Sequence, residues 1–194
     1  MSPIAAAPSF NFTSSRRIRP LRRSEYDRLV EMGAFRNEKI ELIHGVLVPM
    51  SPQGNAHAFT IELLTYTLQG ALYGQARVRV QCPLALGDFE EPEPDLAVVP
   101  LVDDRADHPE TALLVIEVAV TSLADDRDVK GPLYAAAGIP EFWLVDVAAE
   151  AVVVHRRPVA GQWSEVIRHD RDATITPAAF PSVPVLLAEL FPRR

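Results

Sequence analysis

The sequence predicts a mixed α/β domain in which helices cover a central β-sheet, and three observations lead to this fold class. The chain has 194 residues, of which 48% are hydrophobic and 23% charged, the composition of a folded globular protein. Residues 112–120 (ALLVIEVAV) are apolar on both strand faces except at Glu117, as expected of a strand covered on both sides. Residues 55–73 instead repeat apolar side chains at helical spacing. A buried strand and a long helix in one chain indicate a layered core.

The N-terminal half is predicted to contain two helices separated by a β-hairpin. Ser24 is a good N-cap for the first helix, and Gly33 ends it. The hairpin turns at His44 and Gly45, and Asn55 is the expected cap of the longer second helix. The predicted elements are a helix over 25–32, strands over 39–43 and 46–50, and a helix over 55–73.

The rest of the chain is predicted to contribute most of the sheet and one further helix. An acidic, proline-bearing loop over 87–93 separates two short strands. Downstream of the buried strand, a helix begins near Asp125 and is closed by Gly138. The predicted strands cover 77–82, 94–99, 112–120, 141–147, 151–157 and 163–169, the helix covers 125–137, and short segments over 177–191 cap the sheet.

Composition excludes several protein classes and predicts a cytoplasmic protein. Cys82 is the only cysteine, so neither an intramolecular disulfide nor a multi-cysteine zinc site can form. No apolar run approaches the roughly 20 residues of a transmembrane helix. Residues 1–15 lack the basic start and the apolar core of a signal peptide. We therefore expect a flexible leader over 1–15, a single domain over 16–194 and no membrane partner.

Charges are unevenly distributed along the chain. The net charge of −7 argues against a protein that binds nucleic acid over its whole surface. Residues 16–39 nevertheless contain eight basic and four acidic residues, whereas residues 88–95 contain five acids and no base. This pattern fits a basic binding edge beside an acidic, cation-binding site. From charge alone, a solvated face and an acidic loop are the simpler interpretation.

Glu117 is the residue with the sharpest chemical implication, because a carboxylate in a buried strand is costly unless a cation compensates it. One solution is a structural salt bridge to an Arg or Lys across the sheet. The other is a divalent cation held together with a second carboxylate, for which Asp95 is the natural candidate because it opens a neighbouring strand. Oxygen ligands of this kind favour Mg²⁺ or Mn²⁺ over Zn²⁺. The residues alone leave both solutions open.

Lys130 is the candidate cationic group near these acids. It lies thirteen residues after Glu117, in the first turn of the following helix, and a connection of this length folds the helix back over its strand. Tyr134 lies one helical turn later on the same face. A lysine beside two carboxylates can stabilise charge that develops on a phosphate or position an attacking water. The structural alternative is that Lys130 pairs with Asp126 or with solvent.

Five segments of the chain carry a resemblance to a known family. They are residues 94–99 (PDLAVV), 113–118 (LLVIEV) and 126–146 (DRDVKGPLYAAAGIPEFWLVD), with 40–45 (IELIHG) and 50–52 (MSP), the last followed by His57. Over roughly residues 20 to 170 the sequence resembles the Uma-type putative restriction endonucleases of the PD-(D/E)XK nuclease superfamily. The resemblance implies an α/β restriction-endonuclease-like core, with a mixed central β-sheet flanked by helices and with an N-terminal helix and β-hairpin.

The resemblance also implies a site. Asp95 and Glu117 are the expected metal-binding acids for Mg²⁺ or Mn²⁺, and Glu41 is the expected third acidic member. The superfamily places its lysine two residues after the strand glutamate, where this chain has Ala119. In the Uma-type family the lysine role maps onto the next helix, at Lys130.

Two of the residues near this site keep a structural alternative. Glu41 could be an exposed hairpin residue that faces Lys39 or Arg36. His57 lies in the first turn of the second helix, where it either faces the acidic site or packs in the core.

The expected function is that of a Mg-dependent endonuclease that hydrolyses DNA phosphodiester bonds. A small domain that cuts both strands of a duplex usually acts as a pair, so we expect a homodimer. The alternative is a non-cleaving nucleic-acid-binding or assembly module that retains the nuclease fold. The net charge of −7 and Ala119 favour this alternative.

Overall fold

The computed structural model describes residues 19–101 and 107–191. The predicted leader over 1–15, and the first two arginines of the basic segment, lie outside the described residues. Within them the predicted α/β architecture is confirmed, with a six-stranded mixed sheet and a separate hairpin. Helices pack against both faces of the sheet.

A helix, a hairpin and a longer helix precede the sheet, as the sequence predicts. They are α1 (Arg23–Glu31), β1 (Ile40–Ile43), β2 (Val46–Pro49) and α2 (Asn55–Ala71). β1 and β2 pair antiparallel around His44 and Gly45, whose φ values of 52° and 70° are the left-handed conformation that this tight turn requires.

The predicted caps of these two helices are wrong. Arg22 precedes α1, and its backbone N–H donates to Glu25 Oε2 at 2.9 Å, so the helix begins before Ser24. Gly54 precedes α2, so Asn55 is the first helical residue rather than the cap. An acid in the first turn can satisfy a helix N-terminus without a capping hydroxyl, which explains the shift at α1.

The main sheet contains six strands in the spatial order β3-β4-β5-β6-β7-β8. They are β3 (Ala76–Val80), β4 (Leu96–Pro100), β5 (Leu114–Ala119), β6 (Glu141–Asp146), β7 (Ala151–Val159) and β8 (Gln162–Asp170). The central strands β5 and β6 run parallel, and the other neighbours run antiparallel. Parallel neighbours need a long crossover connection, and here it contains the predicted third helix.

The crossover between β5 and β6 is helical but irregular. It consists of α3 (Leu123–Asp125), a π-helical turn (Asp126–Lys130) and α4 (Gly131–Ala136). The backbone N–H of Gly131 donates to the carbonyl of Asp126, five residues earlier. Short π-helical stretches are frequent at functional sites because they rotate side chains out of the regular helical register. This turn carries Lys130.

Successive residues of β5 point into two separate cores. On one face, Ile116 and Val118 pack with Leu64 and Leu68 of α2. On the other face, Val115 packs in a cluster that includes residues of α4. Every residue of β5 is buried. Burial on both faces explains why the strand is apolar apart from Glu117.

The C-terminal segment closes the first of these cores. Its elements are β9 (Thr174–Ile175), β10 (Val185–Leu186) and α5 (Leu187–Leu190). α5 is held to α2 by a 2.9 Å hydrogen bond from the Thr60 hydroxyl to the Leu190 carbonyl. Among the described helices, none combines the length and the apolar character needed to span a membrane.

Candidate active site

An open cleft of about 630 Å³ lies beside the end of β5. It is bounded by β1, the loop after β2, the start of α2 and the π-helical turn. All four predicted site residues line it, and the charged residues of its lining are Glu41, Glu93, Asp95, Glu117, Asp125, Asp126 and Lys130. Elements that are distant in sequence therefore deliver their charged side chains to one place.

Strand register brings Asp95 and Glu117 together. β4 and β5 pair antiparallel with Leu96 opposite Ile116, so Asp95, directly before β4, comes opposite Glu117. The backbone N–H of Asp95 lies 3.4 Å from Glu117 Oε2. The two acids thus face the same cleft from neighbouring strands.

Glu117 is buried at the floor of the cleft, with 3% of its surface exposed. Its Oε1 accepts a 2.6 Å hydrogen bond from the Tyr134 hydroxyl and lies 3.2 Å from Lys130 Nζ. Burial raises the pKa of Glu117 to about 8, an effect that Lys130 opposes and that Asp95 reinforces. Additional positive charge near this carboxyl would stabilise its ionised form.

Lys130 bridges Glu117 and Glu41. Its Nζ lies 3.1 Å from Glu41 Oε2 and 3.2 Å from Glu117 Oε1. Burial on its own lowers the pKa of Lys130, but the carboxylates of Glu117, Glu41 and Asp126 outweigh burial and raise the pKa above its ordinary value. The ammonium group therefore stays charged, and its ion-pair partners are Glu117 and Glu41 rather than Asp126 or solvent.

Glu41 is buried on β1, so the alternative of an exposed hairpin residue is wrong. The physical reason is that β1 packs against the acidic loop, where Leu42 and Glu91 exchange two backbone hydrogen bonds of 3.2 and 2.8 Å. Glu41 Oε2 also accepts a 3.1 Å hydrogen bond from the backbone N–H of Glu93. Lys39 pairs with the carboxylate of Glu93 instead, at 2.9 Å.

Asp95 is held by groups from three elements. Its Oδ2 accepts a 2.8 Å hydrogen bond from the backbone N–H of Val118 and lies 3.1 Å from His57 Nε2. Its Oδ1 lies 3.4 Å from Gln81 Nε2. His57 therefore faces the acidic site, which decides between its two alternatives.

Asp126 is a cleft residue whose importance the sequence interpretation missed. It is buried, its Oδ2 accepts a 2.6 Å hydrogen bond from the Ser122 hydroxyl, and burial raises its pKa. The signal that could have found it is spacing, since Asp126, Lys130 and Tyr134 follow one another at intervals of four residues.

Asp95 and Glu117 form a pair of carboxylates that fits a divalent cation. Within residues 19–101 and 107–191, no group of three or more His, Cys, Asp and Glu side chains has the geometry of a complete metal site. Mg²⁺ does not need one, because it keeps several waters and is commonly bound through one or two carboxylates together with substrate oxygens. The carboxylate oxygens of this pair fit Mg²⁺ or Mn²⁺ better than Zn²⁺.

Part of the described basic segment is engaged with acids. Arg19 pairs with Glu25 at 2.8 Å, and Arg23 approaches Asp27 at 3.8 Å. Such solvent-accessible pairs contribute little free energy.

Comparison with known proteins gives a family and a solved structure with a similar fold. The family Uma2, described as "Putative restriction endonuclease", matches residues 23–188. A crystal structure of a putative nuclease belonging to DUF820 from Anabaena variabilis ATCC 29413 is similar to this chain with a TM-score of 0.70 and 18% sequence identity. The similarity covers 88% of this chain and 97% of that chain, and at this identity it shows a shared fold. No curated protein matches the chain significantly.

Proposed function

The chain belongs to the Uma2 family, and we propose that it is a metal-dependent endonuclease that hydrolyses phosphodiester bonds in DNA. The observation that carries the proposal is the convergence of Asp95, Glu117 and Lys130 at the floor of one open cleft. Two carboxylates and a protonated lysine are the minimal set for holding a divalent cation and balancing the charge of a phosphate. The family description supports DNA as the substrate class.

The residues have separable roles in this proposal. Asp95 and Glu117 would hold Mg²⁺ or Mn²⁺, which when bound polarises a phosphoryl oxygen and lowers the pKa of a bound water. Lys130 donates to a non-bridging phosphate oxygen and stabilises the negative charge that develops there. Glu41 also holds the Lys130 ammonium, at 3.1 Å.

The direct test is incubation of the purified chain with supercoiled plasmid, linear duplex and single-stranded DNA in Mg²⁺, Mn²⁺ or EDTA. We expect nicked or linear plasmid with either metal and intact plasmid in EDTA. Cleavage that persists in EDTA would remove the metal from the proposal. Intact DNA on every substrate, from a chain whose folding is verified by circular dichroism, would contradict the nuclease function.

A non-cleaving module is the second candidate, and one observation favours it. Ala119, at the position where the superfamily carries lysine, is buried and apolar. Lys130 is already engaged by Glu117 and Glu41, so the chain can balance these charges without a phosphate. DNA binding without turnover would support this candidate, whereas metal-dependent turnover of any DNA or RNA would reject it.

We propose further that the chain acts as a symmetric homodimer. One cleft presents one set of reacting groups, and cutting both strands of a duplex is most simply done by two copies related by a two-fold axis. Light scattering on a size-exclusion column should then give a mass near twice 21.4 kDa. A monomeric mass across the working concentration range would contradict the dimer.

A further inference from the structure

In both Asp95 and Glu117, one carboxylate oxygen has two contacts and the other oxygen has one longer contact. Glu117 Oε1 accepts the Tyr134 hydroxyl at 2.6 Å and lies 3.2 Å from Lys130 Nζ. Asp95 Oδ2 accepts the Val118 N–H at 2.8 Å and lies 3.1 Å from His57 Nε2. The other oxygen of each acid has a single, longer contact among the described residues, from Asp95 N–H to Glu117 Oε2 and from Gln81 to Asp95 Oδ1, both 3.4 Å.

We propose that Tyr134 and His57 are positioning residues, each of which holds one oxygen of a cleft acid so that the other oxygen is presented to a divalent cation. On this assignment Glu117 Oε2 and Asp95 Oδ1 are the ligating atoms. The inference rests on the proposed function, because it assumes that these acids bind Mg²⁺ or Mn²⁺. Groups that orient metal ligands in this way commonly change metal affinity or activity by about 10- to 100-fold when removed.

Tyr134 is placed to hold a fixed geometry. Its side chain is fully buried in α4, and its ring packs against Phe142 with 5.3 Å between ring centroids. Since α4 directly follows the π-helical turn that carries Lys130, one irregular helix delivers both groups that contact Glu117 Oε1. The tyrosine hydroxyl is uncharged, so it fixes the carboxylate without neutralising it.

His57 contacts Asp95 from α2. It lies in the first turn of α2, and its Nε2 must carry a proton in order to donate to Asp95 Oδ2. Its Nδ1 is buried and has no hydrogen-bond partner among the described residues. Among the described residues, the polar contact of the ring is therefore the one with Asp95, which fits a positioning role.

The test is calorimetric titration of the full chain with Mg²⁺ and with Mn²⁺, in the absence of DNA. Tyr134→Phe removes only the hydroxyl and should weaken binding of both ions by about 10-fold or more. Tyr26→Phe is the matched control, because Tyr26 is also buried and its hydroxyl also donates a 2.6 Å hydrogen bond, to the Ile40 carbonyl. The Tyr26 variant should bind both ions as the wild type does.

His57 is tested with a pair of variants. His57→Leu removes the donor and should weaken binding, whereas His57→Gln places an amide N–H near the Nε2 position and should restore most of it. Thermal melts of all variants show whether each one folds.

The outcomes separate this inference from the proposed function. Binding by Tyr134→Phe as tight as that of the wild type, or weakened only as much as in Tyr26→Phe, would overturn the positioning role while wild-type binding and cleavage stand. A folded wild type that binds neither Mg²⁺ nor Mn²⁺ would overturn both the inference and the metal-dependent function. Weakening in Tyr134→Phe and His57→Leu, with wild-type binding in Tyr26→Phe and most of the binding restored in His57→Gln, supports the assignment.

Discussion

Replacing Glu117 by glutamine is expected to abolish metal-dependent DNA cleavage, with a loss of roughly 10³-fold or more, the scale of losing a catalytic group. The amide keeps the shape of the side chain and can still accept the Tyr134 hydrogen bond at the same position. It removes the negative charge that a divalent cation requires at this floor of the cleft. Plasmid cleavage followed over time at saturating Mg²⁺ measures the effect. Wild-type rates in the variant would exclude Glu117 from the reaction.

The same substitution should leave the metal-free protein as stable as the wild type or more so. Because burial raises the folded-state pKa of Glu117 to about 8 from an ordinary 4.5, the folded state holds a proton that the unfolded chain releases above 4.5. Metal-free wild type therefore loses free energy of unfolding as pH rises from 4.5 towards 8, and Glu117→Gln does not share that loss. Urea titrations of both proteins at pH 5 and pH 8 check the sign. A larger pH-dependent loss in the variant would contradict it.

Lys130→Met is the informative contrast in these assays. It removes the ammonium group that lies 3.2 Å from Glu117 and 3.1 Å from Glu41, so two buried acids lose their common partner. Cleavage should fall in both variants, but only Lys130→Met should also lose stability. That difference would show that Lys130 stabilises the folded protein as well as acting on a phosphate. It would also show that Glu117 lowers the free energy of unfolding of the metal-free protein.

The sequence singled out residues that the structure brings to one cleft, because its strongest signals are local. A carboxylate inside the apolar run of β5 is anomalous in any α/β core, and Asp95 was its natural partner because it opens a neighbouring strand, which the structure pairs antiparallel with β5. The same reasoning predicted most elements to within two residues. It failed at the caps of α1 and α2, where an acid in the first turn and a glycine replace the expected Ser24 and Asn55.

The environment of the acids depends on contacts that sequence spacing does not fix. Glu41 is buried because the acidic loop folds back onto β1, a tertiary contact between residues about fifty positions apart. The π-helical turn rotates Lys130 between two acids, whereas a regular helix would have suggested pairing with Asp126 four residues before it. The alternative in which Lys130 pairs with Asp126 is therefore not what the structure has, and Asp126 instead accepts its hydrogen bond from Ser122.

Glu141 is a fully buried acid whose contacts the sequence did not reveal, and it holds the C-terminal segment to the sheet. Its Oε1 accepts hydrogen bonds of 2.8 Å from both Trp143 Nε1 and Arg156 Nε. Its Oε2 accepts the backbone N–H of Ala178 at 2.6 Å. Arg156 in turn donates to the Thr176 carbonyl at 2.7 Å, so one carboxylate and one guanidinium connect β6, β7 and the residues after β9.

Glu141→Ala should therefore lower the free energy of unfolding by about 3 to 5 kcal/mol, the usual cost of breaking a buried ion pair by removing one partner. The fully buried Trp143 N–H would be left without its acceptor, whereas Arg156 is 27% exposed and can recover part of its loss from water. Glu165→Ala is the matched control, because Glu165 pairs with Arg157 at 3.4 Å through an exposed guanidinium and a partly exposed carboxylate. This substitution should change the free energy of unfolding by less than about 1 kcal/mol. Urea unfolding curves measure both values. Equal effects would mean that the C-terminal segment is held by its apolar contacts with α2 and β5 rather than by Glu141.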